Sequence, residues 1–229
     1  MTALVIVLVL LLVLLLGPNW WVTRTLKRYS VDYPDLPGTG GQLARHLADR
    51  FELTVTIEET EQGDHYAPDD RAIRLTKEHF HGRSLSAVTV AAHEFGHALQ
   101  HHQGYRPLLW RGRLARMAYF AEKLAAVAFV VAPILAIVSR SPVLTVAVLF
   151  IAVSNMLLSI VVHLVTLPVE WDASFKRALP ILRDGGYLTT QEMPIAKKIL
   201  TAAALTYVSS ALMGLLNVGR WWAILRRPF

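Results

Sequence analysis

The chain of 229 residues has no cysteine. That absence excludes a disulfide framework, a thiolate zinc site, an iron–sulfur cluster and a cysteine nucleophile together. Any metal must be held by histidine and carboxylate. Charge is also scarce: 17% of residues are charged, against ~25% in soluble domains. Hydrophobic residues make up 54%, which excludes a disordered chain and argues against a simply soluble one. The net charge of +6 is no nucleic-acid signature, because much of it borders apolar segments, where basic residues set membrane orientation. We therefore expect no nucleic-acid partner.

The apolar segments dominate the reading. Residues 3–16 are uncharged, Gly17-Pro18-Asn19 interrupts, and Trp20 and Trp21 follow as interfacial anchors. No basic residue precedes this run and no A-x-A site follows it, so a retained membrane helix over 3–22 is expected rather than a cleaved leader. Further spans are expected at 118–138, 143–166 and 202–218, the middle two forming a hairpin about Ser139-Arg140-Ser141-Pro142. A buried core helix competes for the last, which is rich in small residues. Arg24, Lys27 and Arg28, then Arg106, Arg111, Arg113 and Arg116, then Lys176, Arg177 and Arg183 put segments 23–117 and 167–201 on the cytoplasmic side. Arg220, Arg226 and Arg227 disagree if the last helix crosses. The expectation is a mainly α, polytopic helical membrane protein, one domain over 1–229, with a small sheet on the cytoplasmic side.

The polar middle holds the chemistry. Gly38-Thr39-Gly40-Gly41 opens a helix to about Arg50, with no P-loop lysine. Residues 53–57 alternate as a strand, 64–70 turn, and 72–76 form a second short strand, giving a hairpin or three-stranded sheet. Ser84 or Ser86 caps the next helix. Within it runs His93-Glu94-Phe95-Gly96-His97. Histidines at i and i+4 project from one helix face and can grip one Zn²⁺, and the adjacent Glu94 is placed to take a proton from water. A third ligand is needed. His101 lies eight residues from His93, roughly 12 Å along the axis, too far for one ion. The metzincin spacing fails at Gln100 and Gln103. Glu170, after Pro168 in the first turn of an expected new helix at the membrane edge, is costly without a partner, and two histidines with a glutamate make a zinc shell. Asp172 is the lesser alternative; both acids would also suit a helix N-terminus.

The segments Asp64-His65-Tyr66 to Arg74-Leu75-Thr76, Ala91-Ala92-His93-Glu94-Phe95-Gly96-His97-Ala98-Leu99-Gln100 with Gly104-Tyr105, and Thr166-Leu167-Pro168-Val169-Glu170-Trp171-Asp172-Ala173-Ser174, with Ala203 to Tyr207, resemble the membrane-bound neutral zinc metallopeptidases of the YugP type. The resemblance implies a zinc-dependent membrane endopeptidase with Glu170 as ligand. Ser174 stands where HtpX-type relatives of the wider superfamily carry an aspartate behind a ligand histidine.

Arg177, seven residues after Glu170, is the first candidate for holding the oxyanion, with His65, Tyr66 and Tyr207 as others. From the resemblance, the 72–76 strand, with Ile73 and Arg74, is expected to be the edge that takes peptide substrate. His163 is seven residues before Glu170 and could share its interior face. A membrane scaffold with a structural or vestigial zinc site, or a zinc hydrolase of non-peptide amides, are the alternatives; an intact Glu94 favours an enzyme. Expected partners are a peptide or protein substrate and the lipid bilayer.

Overall fold

A computed structural model describes residues 2–139 and 142–225. The chain runs α1 (Thr2–Tyr29), α2 (Gly40–Arg50), β1 (Thr56–Thr60), β2 (His65–Ala67), β3 (Ala72–Thr76), α3 (Lys77–His81), α4 (Leu85–His102), α5 (Arg106–Ser139) and α6 (Pro142–Trp171). A π-helical stretch, Asp172–Ala178, then leads into α7 (Leu179–Asp184) and α8 (Met193–Leu225). Arg140, Ser141, Arg226 and Arg227, which entered the turn and orientation arguments, lie outside the described residues.

The polar middle forms the packed centre. Thr39 caps α2: its Oγ1 accepts from Gln42 N at 3.2 Å while Gln42 Oε1 accepts from Thr39 N at 2.8 Å, a reciprocal capping box. A Cβ on Gly40 would collide with the backbone carbonyls of His79 and Ala87. This glycine therefore lets the start of α2 sit against α3 and α4, a packing role rather than a phosphate-binding one. Ser84 caps α4, accepting from Ala87 N at 3.1 Å. Leu43, Leu47, Ile73, Leu75, Phe95, Leu182 and Leu200 close one core between α2, the sheet, α4, α7 and α8. Each such side chain contributes on the order of 1.5–3 kcal/mol by leaving water.

The sheet differs from the expected pattern in two respects. Its first strand is Thr56–Thr60 rather than 53–57, because Leu53 is drawn into the core. Its order is β1-β3-β2, with β1 parallel and β2 antiparallel to β3. The 72–76 strand is thus the central strand, with Ile73 fully buried and Arg74 paired to Glu58 at 3.0 Å and Asp70 at 2.8 Å. It has no free edge for a substrate. The edge beside α4 is β2.

The polytopic expectation is corrected. Among the described residues one helical stretch, Leu157–Asp184, contains an 18-residue window of mean hydropathy 1.3 and is by length and composition able to cross a membrane. It overlaps the expected 143–166 span only in part. The helices carrying 3–22, 118–138 and 202–218 run on into charged turns: Arg24, Lys27 and Arg28 in α1, Glu122 and Lys123 with four arginines in α5, Lys197 and Lys198 in α8. They also pack pairwise, α5 on α6, α6 on α8 and α8 on α1. An apolar run records low polarity, not what covers it. Even so, large side chains such as Leu10, Trp20, Phe120, Leu124 and Phe150 face outward.

The helix break expected at Pro168 is also absent. α6 passes through Pro168, just as α1 runs through Pro18. Glu170 therefore sits near the end of α6 rather than in the first turn of a new helix. The change of winding comes two residues later, at the π-helical stretch.

Candidate metal centre

Local geometry places the histidines. One turn apart on α4, His93 and His97 present their rings edge to face with centroids 4.7 Å apart. Glu170, brought by α6, puts its Oε2 3.2 Å from His93 Nε2 and 3.2 Å from His97 Nε2. One ligand atom from each of the three residues lies within 4.8 Å of the others. The structure thus brings together the three ligands expected from sequence.

The groups behind these ligands fix how they point. His93 Nδ1 bonds Ser174 Oγ at 3.0 Å. His97 Nδ1 bonds Gln100 Oε1 at 3.0 Å. The amide nitrogen of Gln100 donates to Val169 O at 2.9 Å and to Asp172 Oδ1 at 2.9 Å, so its oxygen must face His97. Gln100 Oε1 accepts from His97 Nδ1–H, which turns the His97 Nε2 lone pair toward Glu170, and Ser174 Oγ can accept from His93 Nδ1–H in the same way, the arrangement metal-ligating histidines ordinarily show. Two lone pairs and a buried carboxylate form a donor set for one divalent cation, and burial of Glu170 at 3% exposure would cost several kcal/mol without a cationic partner. The residues fit zinc.

Ser174 takes the position behind His93 in spite of being a hydroxyl. Asp172 is not a fourth ligand but the link between Gln100 and Arg177, which donates from Nε at 2.6 Å. The second donor of Arg177, Nη1, goes to Gln103 Oε1 at 2.6 Å. Arg177 is therefore occupied away from the cluster. Spacing alone put it on Glu170's face, but the wider π-helical winding between them breaks that count. The cation beside Glu170 is instead Arg111 of α5, whose Nη2 lies 3.4 Å from Glu170 Oε1. Tyr207 of α8 lies close enough to feel the charge of the same glutamate. Nothing in the sequence marked Arg111, because it arrives on a different helix. Gln100 was legible in principle, three residues after His97 on one face. His65 bonds its own turn through Gly63 O at 2.8 Å, and His163 is half-buried on α6, outside the cluster.

Close approach makes this possible. A Cβ on Gly96 would stand 2.7 Å from Ala173 O, so only glycine lets α4 touch the π-helical stretch that carries Ser174. Glu94 is 7% exposed. Burial pushes its carboxyl up to about 7, while the neighbouring His93 and the backbone N–H of Tyr66 in β2 pull the other way. Tyr66 is fixed in turn by a 2.8 Å bond from its hydroxyl to His101 Nδ1. A buried carboxylate next to one of the candidate ligands and close to β2 is placed where a general base would be needed.

Residues 4–226 match the family model described as "Putative neutral zinc metallopeptidase". The chain belongs to this family. It is also 34% identical over 215 residues to "Putative membrane protease YugP" of Bacillus subtilis (strain 168), covering 90% of this chain and 91% of that protein. No solved structure matches. The family implies zinc, and His93, His97 and Glu170 are the residues here that would hold it.

Proposed function

We propose that this protein is a membrane-associated zinc endopeptidase, working as one domain, with His93, His97 and Glu170 as metal ligands and Glu94 as general base. The observation that carries the reading is the convergence of three oriented ligand atoms within 4.8 Å, beside a buried carboxylate raised to about 7. When bound, zinc supplies the Lewis acidity that polarises the scissile carbonyl. Glu94 takes the proton of the attacking water at its carboxylate and returns it to the departing amide nitrogen. A peptide adding to the outer edge of β2 would lie over the same carboxylate, in a manner tolerant of sequence. Arg111 and Tyr207, both against Glu170, take the role of holding developing negative charge in place of Arg177.

Membrane association is supported by the relative's name, by the candidate span Leu157–Asp184 that carries Glu170, and by the exposed apolar side chains of α1, α5 and α6. The basic residues Arg24, Lys27, Arg28, Arg113 and Arg116 favour a cytoplasmic site.

The test is cleavage of casein by detergent-purified protein, comparing wild type, Glu94→Gln and a chelated sample, with zinc quantified in each. The reading requires Glu94→Gln to keep its zinc and lose on the order of 10²–10⁴-fold in rate. A protein without zinc, or one equally active after Glu94→Gln, would overturn it.

A further inference from the structure

A cavity of about 360 Å³ is lined by Asp172, Lys176 and Arg177 of the π-helical stretch and by none of the three candidate metal ligands. Its walls come from the ends of α2 and α4, the π-helical stretch and α7. Three cationic side chains open on it: Arg50, Lys176 and Arg177. Two are held in place by aromatic rings. The Arg50 guanidinium lies over Tyr187 at 5.9 Å and donates from Nη1 to its hydroxyl at 2.9 Å. The Arg177 guanidinium lies over Tyr105 at 5.5 Å and is braced by Asp172 and Gln103. Among the described residues, Nη2 of both arginines keeps its donors unspent, and Lys176 has no ion pair. The two acids on the wall are already committed, Asp172 to Arg177 at 2.6 Å and Asp184 to Arg183 at 2.8 Å. What remains is an excess of oriented donors with no acceptor.

A guanidinium held by stacking and hydrogen bonds loses little freedom on binding, and the free Nη2 of each arginine can donate a charge-assisted hydrogen bond to a phosphate oxygen. Phe51, Leu99, Pro180 and Ile181 give the wall an apolar part, beside the polar Gln103 that Arg177 already holds. The cavity also sits at the charged end of the Leu157–Asp184 helix, past the exposed Trp171.

We propose that this cavity binds a phosphate-bearing anion, with Arg50, Lys176 and Arg177 as its donors. A phospholipid headgroup and a free phosphate share that chemistry, and the apolar wall favours the lipid. The site is separate from the metal cluster, so its test stands or falls independently of the peptidase reading.

Detergent-purified, metal-free full-length protein would be titrated with dihexanoyl phosphatidic acid, inorganic phosphate and dihexanoyl phosphatidylcholine, following the thermal midpoint. A ligand that binds only the folded state raises that midpoint. The proposal requires a saturable rise with phosphatidic acid that needs about tenfold more ligand in Lys176→Glu and disappears in Lys176→Glu/Arg50→Gln. An equal response to inorganic phosphate assigns the site to free phosphate; a response to the lipid alone assigns it to a headgroup. Because Lys176 and Arg50 are exposed, both variants should fold, which an unchanged midpoint without ligand would verify. No rise with either anion, an equal rise with phosphatidylcholine, or a wild-type response in the double variant would overturn the proposal.

Discussion

Gly96→Ala separates local from tertiary reasoning most sharply. In an isolated helix the change should stabilise by about 1 kcal/mol, since alanine loses less backbone entropy than glycine. In the folded protein the new Cβ would stand 2.7 Å from Ala173 O and 3.3 Å from Ala173 C. A carbon ordinarily approaches a carbonyl oxygen no closer than ~3.3 Å, so the two backbones must part by roughly 0.6 Å. Both obstructing atoms are backbone, and no rotamer can relieve them. Overpacking of this kind costs about 1–3 kcal/mol, which meets or exceeds the helix gain, so the net effect on stability is a loss of up to about 2 kcal/mol. The metal cluster suffers more. Ala173 lies between Glu170 and Ser174, and metal–ligand distances hold to about 0.2 Å, a third of the required shift. We expect zinc affinity to fall at least about tenfold, at the lower end of the effect of losing a group behind a ligand. Competition against a chromophoric chelator measures the affinity, and thermal unfolding of the metal-free protein measures the stability. Gly112→Ala on α5 is the control, because a Cβ there meets nothing within 4 Å. If Gly96→Ala raised the midpoint as Gly112→Ala does, with zinc affinity unchanged, the close-approach argument would be wrong.

Removing either group behind the histidines, by Ser174→Ala or Gln100→Ala, should weaken zinc about 10–100-fold while leaving Glu94 in place; chelator competition reads this, and an unchanged affinity would remove those bonds from the account. Arg177→Ala should act on stability rather than on the metal. It strips the partner from a buried Asp172 and should cost about 3–5 kcal/mol, whereas Arg111→Ala should lower zinc affinity; the reverse pattern would return Arg177 to the cluster. Asp64 raises a pH question. Burial pulls its carboxyl up, but bonds from His79 at 2.7 Å and from Thr76 N at 2.7 Å outweigh it and hold it low. A depressed folded pKa contributes stability that is full above the unfolded value of ~3.9 and lost as pH falls through the folded one. Denaturant unfolding should therefore show Asp64→Asn less stable by about 2 kcal/mol at pH 7, with the gap closing below pH ~4; a gap constant with pH would show that the charge contributes nothing.

What was legible in the sequence was what neighbours in the chain decide. Histidines at i and i+4 must share a helix face, so the half-site on α4 followed from spacing. The absence of cysteine confined any metal to histidine and carboxylate. Glu170 was legible because an acid ending an apolar run is costly without a partner. The tertiary structure decided the rest. Strand order turns on pairing between distant segments, and so 72–76, the expected edge, became the central strand while the edge passed to β2. The π-helical stretch packs against α4 at Gly96, and its wider winding carried Arg177 away to Asp172. Arg111 reached Glu170 on a helix whose own pattern says nothing of metal. Periodicity along a chain reports which residues share a face; only packing decides what that face meets.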